Sequence, residues 1–176
     1  MSMWVFGYGS LLWNPGFEVA EKRLATLEGY HRSFSMRSVT HRGSYEAPGL
    51  VLALDADPEA VCDGLALRVA PGTEEATLAY LRERELVTAA YLERHLPVHL
   101  DDGREVEAVT YIIDPDHSQY CGGLPLEEQA QIIAEASGMR GPNWEYLYNT
   151  ASQLRELGIS DADLNWLETR VREIIG

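Results

Sequence analysis

Two stretches of this chain combine residue types that could do chemistry. The first is Gly7-Tyr8-Gly9-Ser10-Leu11, directly after an apolar run. Two glycines and a serine let successive backbone N–H groups turn toward one point, and such a nest can hold a carboxylate or a developing oxyanion. A plain strand-to-turn junction has the same composition, and turn chemistry alone favours that reading. The spacing is neither G-x-G-x-x-G nor G-x-x-x-x-G-K-[ST], which speaks against a nucleotide site. The second stretch is Arg82-Glu83-Arg84-Glu85, and its candidate is Glu85. Leu78, Leu81 and Glu85 share one helical face by their spacing, whereas Glu83 points away from it. If the leucines face a core, Glu85 ends a buried stripe. Its carboxyl is then partly desolvated, with a raised pKa that suits a general base near neutrality. Against this, a charged run on a helix is ordinarily a solvated face with i,i+3 pairs. Ala76, Ala79 and Tyr80 also mark a second apolar side, so spacing alone favours the solvated face.

Other constellations are weaker. The histidines form no H-E-x-x-H motif and no Cys/His cluster, so no metal site and no cofactor are expected. Ser10 as a nucleophile would need a histidine base, and no G-x-S-x-G elbow surrounds it. Cys62 and Cys121 stand far apart and read as inert, reduced thiols in a reducing compartment. Tyr146 and Tyr148 fall in a helical stretch, where aromatics pack by default.

The elements that must position these residues run strands first and helices last. Met3–Tyr8 reads as a short buried strand entering a loop. Leu24–Met36 reads as an extended or bent strand, and Gly49–Leu54 and Cys62–Val69 as two strands separated by a turn at Asp55-Ala56-Asp57-Pro58. Thr73 is a plausible N-cap for a helix running to about Leu86, with Glu74 and Glu75 at the positive end of its dipole. Val98–Leu100 and Val106–Ile113 flank Asp101-Asp102-Gly103-Arg104, whose Asp-Gly step signals a hairpin. Pro97 suggests that the first of these strands is an edge. Helices are expected over Leu126–Ser137, Asn143–Leu157 and from a Ser160/Asp163 cap to Ile175. This order predicts an α+β fold in one domain spanning residues 1–176.

Composition narrows the function classes. The 14 Lys and Arg against 28 Asp and Glu give a formal charge of −14. That balance argues against nucleic-acid binding and against anionic membrane surfaces. No apolar run is long enough to span a bilayer, and the N-terminus lacks a basic n-region, so the cytoplasm is the expected location. Oligomeric state is not legible.

The sequence as a whole resembles the ChaC-type, glutathione-specific γ-glutamylcyclotransferases. The resemblance rests on Trp4-Val5-Phe6-Gly7-Tyr8-Gly9-Ser10-Leu11-Leu12-Trp13, then His41-Arg42-Gly43, Pro48-Gly49, Tyr80-Leu81 with Arg84-Glu85, Asp101-Asp102-Gly103-Arg104, and Asn143 with Glu145-Tyr146-Leu147. It implies a γ-glutamylcyclotransferase-like small β-barrel with packed helices and a helical C-terminal third. It also implies a cofactor-free enzyme that converts glutathione to 5-oxoproline and cysteinylglycine. The substrate loop maps onto Val5, Phe6, Gly7, Tyr8, Gly9, Ser10 and Leu11. The proton-transfer glutamate maps onto Glu85, and binding tyrosines map onto Tyr146 and Tyr91. The chain departs from the pattern at Leu50, Leu86 and Ala89; the last two flank the helix of Glu85 and bear on substrate preference and rate more than on reaction type. Two alternatives stay open. One is a cyclotransferase for other γ-glutamyl amino acids or amines, and the other is a non-catalytic module that binds γ-glutamyl ligands.

Overall fold

A computed structural model describes residues 2–86 and 90–176 of the chain. The strands are β1 (Trp4–Gly7), β2 (Val19–Ser38), β3 (Gly49–Val69), β4 (Tyr91–Leu100), β5 (Glu105–Ile113) and two short ones, β6 (Ser137–Gly138) and β7 (Gly141–Pro142). The helices are α1 (Glu74–Glu85), α2 (Leu126–Glu135), α3 (Asn143–Glu156) and α4 (Ala162–Ile175). The five longer strands close into a barrel in the order β1-β3-β2-β4-β5. This is the expected α+β arrangement, with strands in the first part of the chain and helices in the last.

The chain forms two compact units. The first comprises Met1–Arg32 and Leu54–His117, and the second Ser33–Ala53 and Ser118–Gly176. In the first unit β1 runs antiparallel to β3 and parallel to β5, and β4 and β5 form the hairpin foreseen at Asp101–Arg104. Gly103 takes the left-handed conformation that the turn needs, at φ 91°. β4 begins at Tyr91, well before the expected Val98, because Glu93, Arg94 and His95 hide its strand pattern behind charge. It is not an edge: the closed ring seats it between β2 and β5, and its described pairing with β2 is confined to Leu100 and His99, clear of Pro97. The turn expected at Asp55–Pro58 is absent, since β3 passes through these residues as one strand. Their turn-forming composition reflects exposure: Ala56 to Glu59 face solvent, where polar residues cost a strand little.

Helix α1 starts where expected, but Thr73 does not cap it through its side chain. Its hydroxyl donates to Ala70 O at 2.7 Å, and Glu74 accepts from Gly72 N–H at 2.6 Å. Leu81 of this helix is fully buried in a cluster with Val5, Leu11, Val69, Val109 and Tyr111, against which Leu78, Leu86 and Tyr91 pack. Ala76, Ala79 and Tyr80 face outward. The leucine stripe is therefore the core face, and the second apolar side is not.

In the second unit α2, α3 and α4 pack on one another, with Ile133, Leu147, Leu154, Leu167 and Val171 almost wholly buried. The cap of α4 is Asp161, whose carboxylate accepts from Leu164 N–H at 3.1 Å, rather than Ser160. Cys62, in the first unit, and Cys121, in the second, are both buried thiols outside any disulfide among the described residues.

Candidate active site

The first unit brings most of the sequence candidates together. β1 ends at Gly7, and the chain bends through Tyr8 and Gly9 into a 3₁₀ turn over Ser10–Leu12. The turn closes with Leu12 N–H donating to Gly9 O at 2.9 Å and Asn14 N–H to Ser10 O at 2.7 Å. The N–H groups that open such a turn have no partner within it, which suits them to an acceptor from outside. Gly7 and Gly9 are buried, and a Cβ on Gly7 would meet Leu11 Cβ at 3.2 Å. Close approach explains a second glycine that the sequence did not single out. Gly64 on β3 lies so near β1 that a Cβ there would stand 2.4 Å from Gly7 O and 2.9 Å from Phe6 Cζ.

Tyr8 is tied down at both ends. Its hydroxyl donates to Tyr111 O at 2.8 Å, and its carbonyl accepts from Arg32 Nη1 at 3.2 Å. Arg32 also donates to Asp63 O at 2.8 Å and is buried. The loop is thus anchored to β5, β2 and β3 before any substrate arrives.

Glu85 is the last residue of α1, and its side chain is only 16% exposed, whereas Glu83 faces solvent. Glu85 is therefore partly shielded where the leucine stripe ends, rather than lying on a fully solvated face. Its Oε1 lies 3.4 Å from Arg84 Nε. Arg84 is itself 12% exposed and reaches back to the loop, where Nη2 donates to Ser10 Oγ at 2.9 Å. A cation donating to Ser10 Oγ is the opposite of a base, so Ser10 is not set up as a nucleophile. Val5 and Leu11 from the loop, Leu86 next to Glu85, and Tyr91 at the start of β4 all belong to one apolar cluster. Phe6 is fully buried beside Tyr8, with ring centroids 6.3 Å apart.

Sequence reasoning missed Tyr111 and Glu93. Tyr111 O–H donates to Glu93 Oε1 at 2.9 Å, and Arg82 clasps the same carboxylate through Nε at 3.1 Å and Nη2 at 3.0 Å. The bond from Arg82 holds the Glu93 carboxyl below the usual carboxylate range, with Tyr111 assisting and burial opposing. Burial pushes the Tyr111 phenol up, and the negative charges of Glu93 and then Glu85 add to it, so Tyr111 stays neutral. The hairpin expected at Asp101–Arg104 sets Glu93 opposite Tyr111 once β4 is carried back to Tyr91; the pair was missed because the charged segment around Glu93 did not read as strand.

The second unit gathers the remaining motif residues. Arg42 is buried, and its Nη1 donates to Pro142 O and Glu145 Oε1, both at 3.0 Å. The glycines of His41-Arg42-Gly43 and Pro48-Gly49 serve close packing: a Cβ on Gly43 would stand 2.0 Å from Gly49 N, and one on Gly49 2.3 Å from Arg42 O. Asn143 pairs with the backbone of Leu50 in both directions at 2.8 Å. Leu50 itself is fully buried. Tyr146 lies in this unit, with its hydroxyl accepting from Leu52 N–H at 3.2 Å and its ring edge-on to Phe34. Leu86 packs against the apolar cluster of the first unit, and Ala89 lies outside the described residues.

Among the described residues, no three His, Cys, Asp or Glu side chains are grouped as metal ligands, and no helix is long and apolar enough to cross a membrane.

Comparison with known proteins matches residues 3–174 to the family described as ChaC-like protein. The glutathione-specific γ-glutamylcyclotransferase of Escherichia coli K12 is 39% identical, over 98% of this chain and 74% of its own length. γ-Glutamylcyclotransferase 2-3 of Arabidopsis thaliana is 35% identical, over 99% of this chain and 91% of its own. Among solved structures, a yeast γ-glutamyl cyclotransferase specific to glutathione superposes with a TM-score of 0.89. That match covers 98% of this chain and 96% of the yeast chain at 24% identity, and it speaks to the fold.

Proposed function

Because this chain belongs to the ChaC-like family, we propose that it cyclises the γ-glutamyl group of glutathione, releasing 5-oxoproline and cysteinylglycine. The observation that carries this reading is the junction at Arg84, which binds Ser10 of the glycine loop and stands 3.4 Å from the shielded carboxylate of Glu85. A proton-transfer group and an amide-lined loop are the two parts that this reaction needs.

The substrate brings its own nucleophile, the α-amine of its γ-glutamyl group. Glu85 takes a proton from the ammonium form, and the freed nitrogen attacks the γ-carbonyl carbon. A five-membered ring closes and the carbonyl oxygen becomes an oxyanion. The N–H groups opening the turn at Gly9, Ser10 and Leu11 stabilise that charge. As the oxyanion collapses, the bond from the γ-carbon to the cysteinyl nitrogen breaks. Glu85 returns its proton to that nitrogen, then takes the proton that attack left on the ring nitrogen and passes it to the departing amine. The products are the neutral lactam and the ammonium form of cysteinylglycine, and one carboxyl serves as base and then acid. No water or cofactor enters the balance. Folding the flexible γ-glutamyl chain toward its cyclised shape supplies proximity, an effect that reaches roughly 7–11 kcal/mol in well-oriented systems. Val5, Phe6, Gly7 and Tyr8 fix the loop and Tyr91 borders it. Tyr146 is kept as a further substrate contact on the family resemblance alone. Buried Cys62 and Cys121, not joined in a disulfide, fit a reducing compartment, and we place the protein in the cytoplasm.

The test is direct. Purified protein, treated exhaustively with chelator and given no nucleotide, is incubated with glutathione, γ-glutamyl amino acids and γ-glutamyl amines, and 5-oxoproline is measured. Release from glutathione well above the other substrates is expected. Preference for another γ-glutamyl compound moves the activity to that substrate class. Binding of glutathione without product leaves a binding module, and activity that needs a restored divalent ion refutes the cofactor-free mechanism.

A further inference from the structure

We propose that Arg84 is a positioning residue that sets the glycine loop against Glu85, acting on the loop through Ser10; this rests on the roles given above to the loop and to Glu85. Every nitrogen of its guanidinium is engaged. Nη1 lies 2.6 Å from Asn14 O, 3.0 Å from Pro15 O and 3.1 Å from Tyr80 Oη. Nη2 donates to Ser10 Oγ at 2.9 Å, and Nε faces Glu85 Oε1 at 3.4 Å. One rigid plane therefore meets the start of the 3₁₀ turn, the segment after it and the carboxylate at the end of α1.

A surface ion pair has a different form, and the same helix supplies one. Arg82 is 54% exposed and spends its fork on Glu93 alone. Arg84 is largely shielded instead, at 12% side-chain exposure, and makes most of its bonds to the loop rather than to a counter-charge. The segment it holds is pressed hard onto α1. Gly16 has φ 76°, a conformation that favours glycine, and it lies against the end of the Tyr80 side chain, where a Cβ would stand 2.0 Å from Oη. The bond to Ser10 also orients a hydroxyl. With an Oγ lone pair taken by a cationic donor, the single O–H proton is directed away from Arg84. Lysine cannot reproduce the arrangement, since an ammonium is a point charge without a planar fork.

The guanidinium thus does two separable things: its fork holds the loop, and its charge stands beside Glu85. Wild type, Ser10→Ala, Arg84→Lys, Arg84→Met and the Ser10→Ala/Arg84→Met double variant are compared for kcat and KM in 5-oxoproline release, for glutathione Kd by calorimetry, and for Tm. Arg84→Met is expected to raise KM and Kd roughly tenfold or more and to lower kcat by a similar factor, the usual scale for losing charge-assisted hydrogen bonds. Arg84→Lys should recover most of kcat but little of KM. In the Ser10→Ala background, Arg84→Met should add clearly less to KM or Kd than it does in wild type, the remainder coming from its bonds to Asn14 O and Pro15 O, while its effect on kcat persists. Additive effects on KM and Kd overturn the proposal. So do equal losses in Arg84→Lys and Arg84→Met that follow their Tm. Should Arg84→Met not fold, the split between kcat and KM in Arg84→Lys decides alone. A wild type that binds glutathione without turning it over refutes the reaction, and the Kd cycle through Ser10 still decides the role of Arg84 on the loop.

Discussion

Replacing Glu85 by glutamine separates chemistry from structure, and the contacts of Glu85 set the size of each effect. The substitution keeps the shape and the capacity to accept hydrogen bonds but cannot accept a proton from an amine. General acid–base groups contribute about 10²–10⁴-fold. Glu85 is assigned both proton transfers, so a loss of about 10⁴-fold in kcat is expected, which corresponds to roughly 5 kcal/mol of barrier. The stability change should be far smaller. The substitution removes a charge 3.4 Å from Arg84 Nε, but Arg84 keeps its bonds to Asn14, Pro15, Tyr80 and Ser10. Pairs near the surface are worth about 0–1 kcal/mol, and these side chains, at 12% and 16% exposure, lie toward the upper end. The expected shift in Tm is therefore a few degrees at most, since 1 kcal/mol moves a chain of this size by about 2–4 °C. Glu83→Gln, exposed on the same helix, is the control and should keep most activity. The assay is 5-oxoproline release from glutathione, with circular dichroism melts of all three proteins and glutathione binding by calorimetry. Near wild-type turnover by Glu85→Gln refutes the assignment. A loss matched by a collapse in Tm refutes the claim that the residue acts in chemistry rather than in folding.

Three further outcomes follow from the same geometry. Gly9→Val places a β-branched side chain at a buried position of the loop and should abolish turnover or raise KM at least tenfold with the circular dichroism spectrum kept; wild-type kinetics would remove the loop from the site. Gly64→Ala should lower stability by roughly 1–3 kcal/mol, because its Cβ would press on Gly7 O at 2.4 Å and the backbone must shift; an unchanged urea midpoint would contradict the packing of β3 on β1. Tyr111→Phe tests the raised phenol pKa. A folded-state pKa above the unfolded value of about 10 gives stability that is present below pH 10 and lost as pH rises beyond it. The excess Tm of wild type over Tyr111→Phe should thus shrink above about pH 10, and a gap that stays constant to pH 11 would refute it.

Local chemistry in the sequence determined much of what the fold later uses. The Asp-Gly step produced the hairpin between β4 and β5 because only a residue free to take positive φ closes that turn. Leucines at helical spacing marked one of two apolar sides of α1, but spacing alone favoured a solvated Glu85; the packing of Leu81 into the core decided for the shielded side. The three C-terminal helices lie close to their expected bounds because glycine and proline punctuate them. Contacts across long separations were a different matter. That Arg84 meets Ser10, that Tyr8 hangs from Tyr111, and that Gly64 exists to admit Gly7 each depend on elements distant in sequence being brought side by side. Spacing along a chain specifies which way a side chain points from its own element. It carries no record of which element will stand opposite, and that was decided only when the barrel closed.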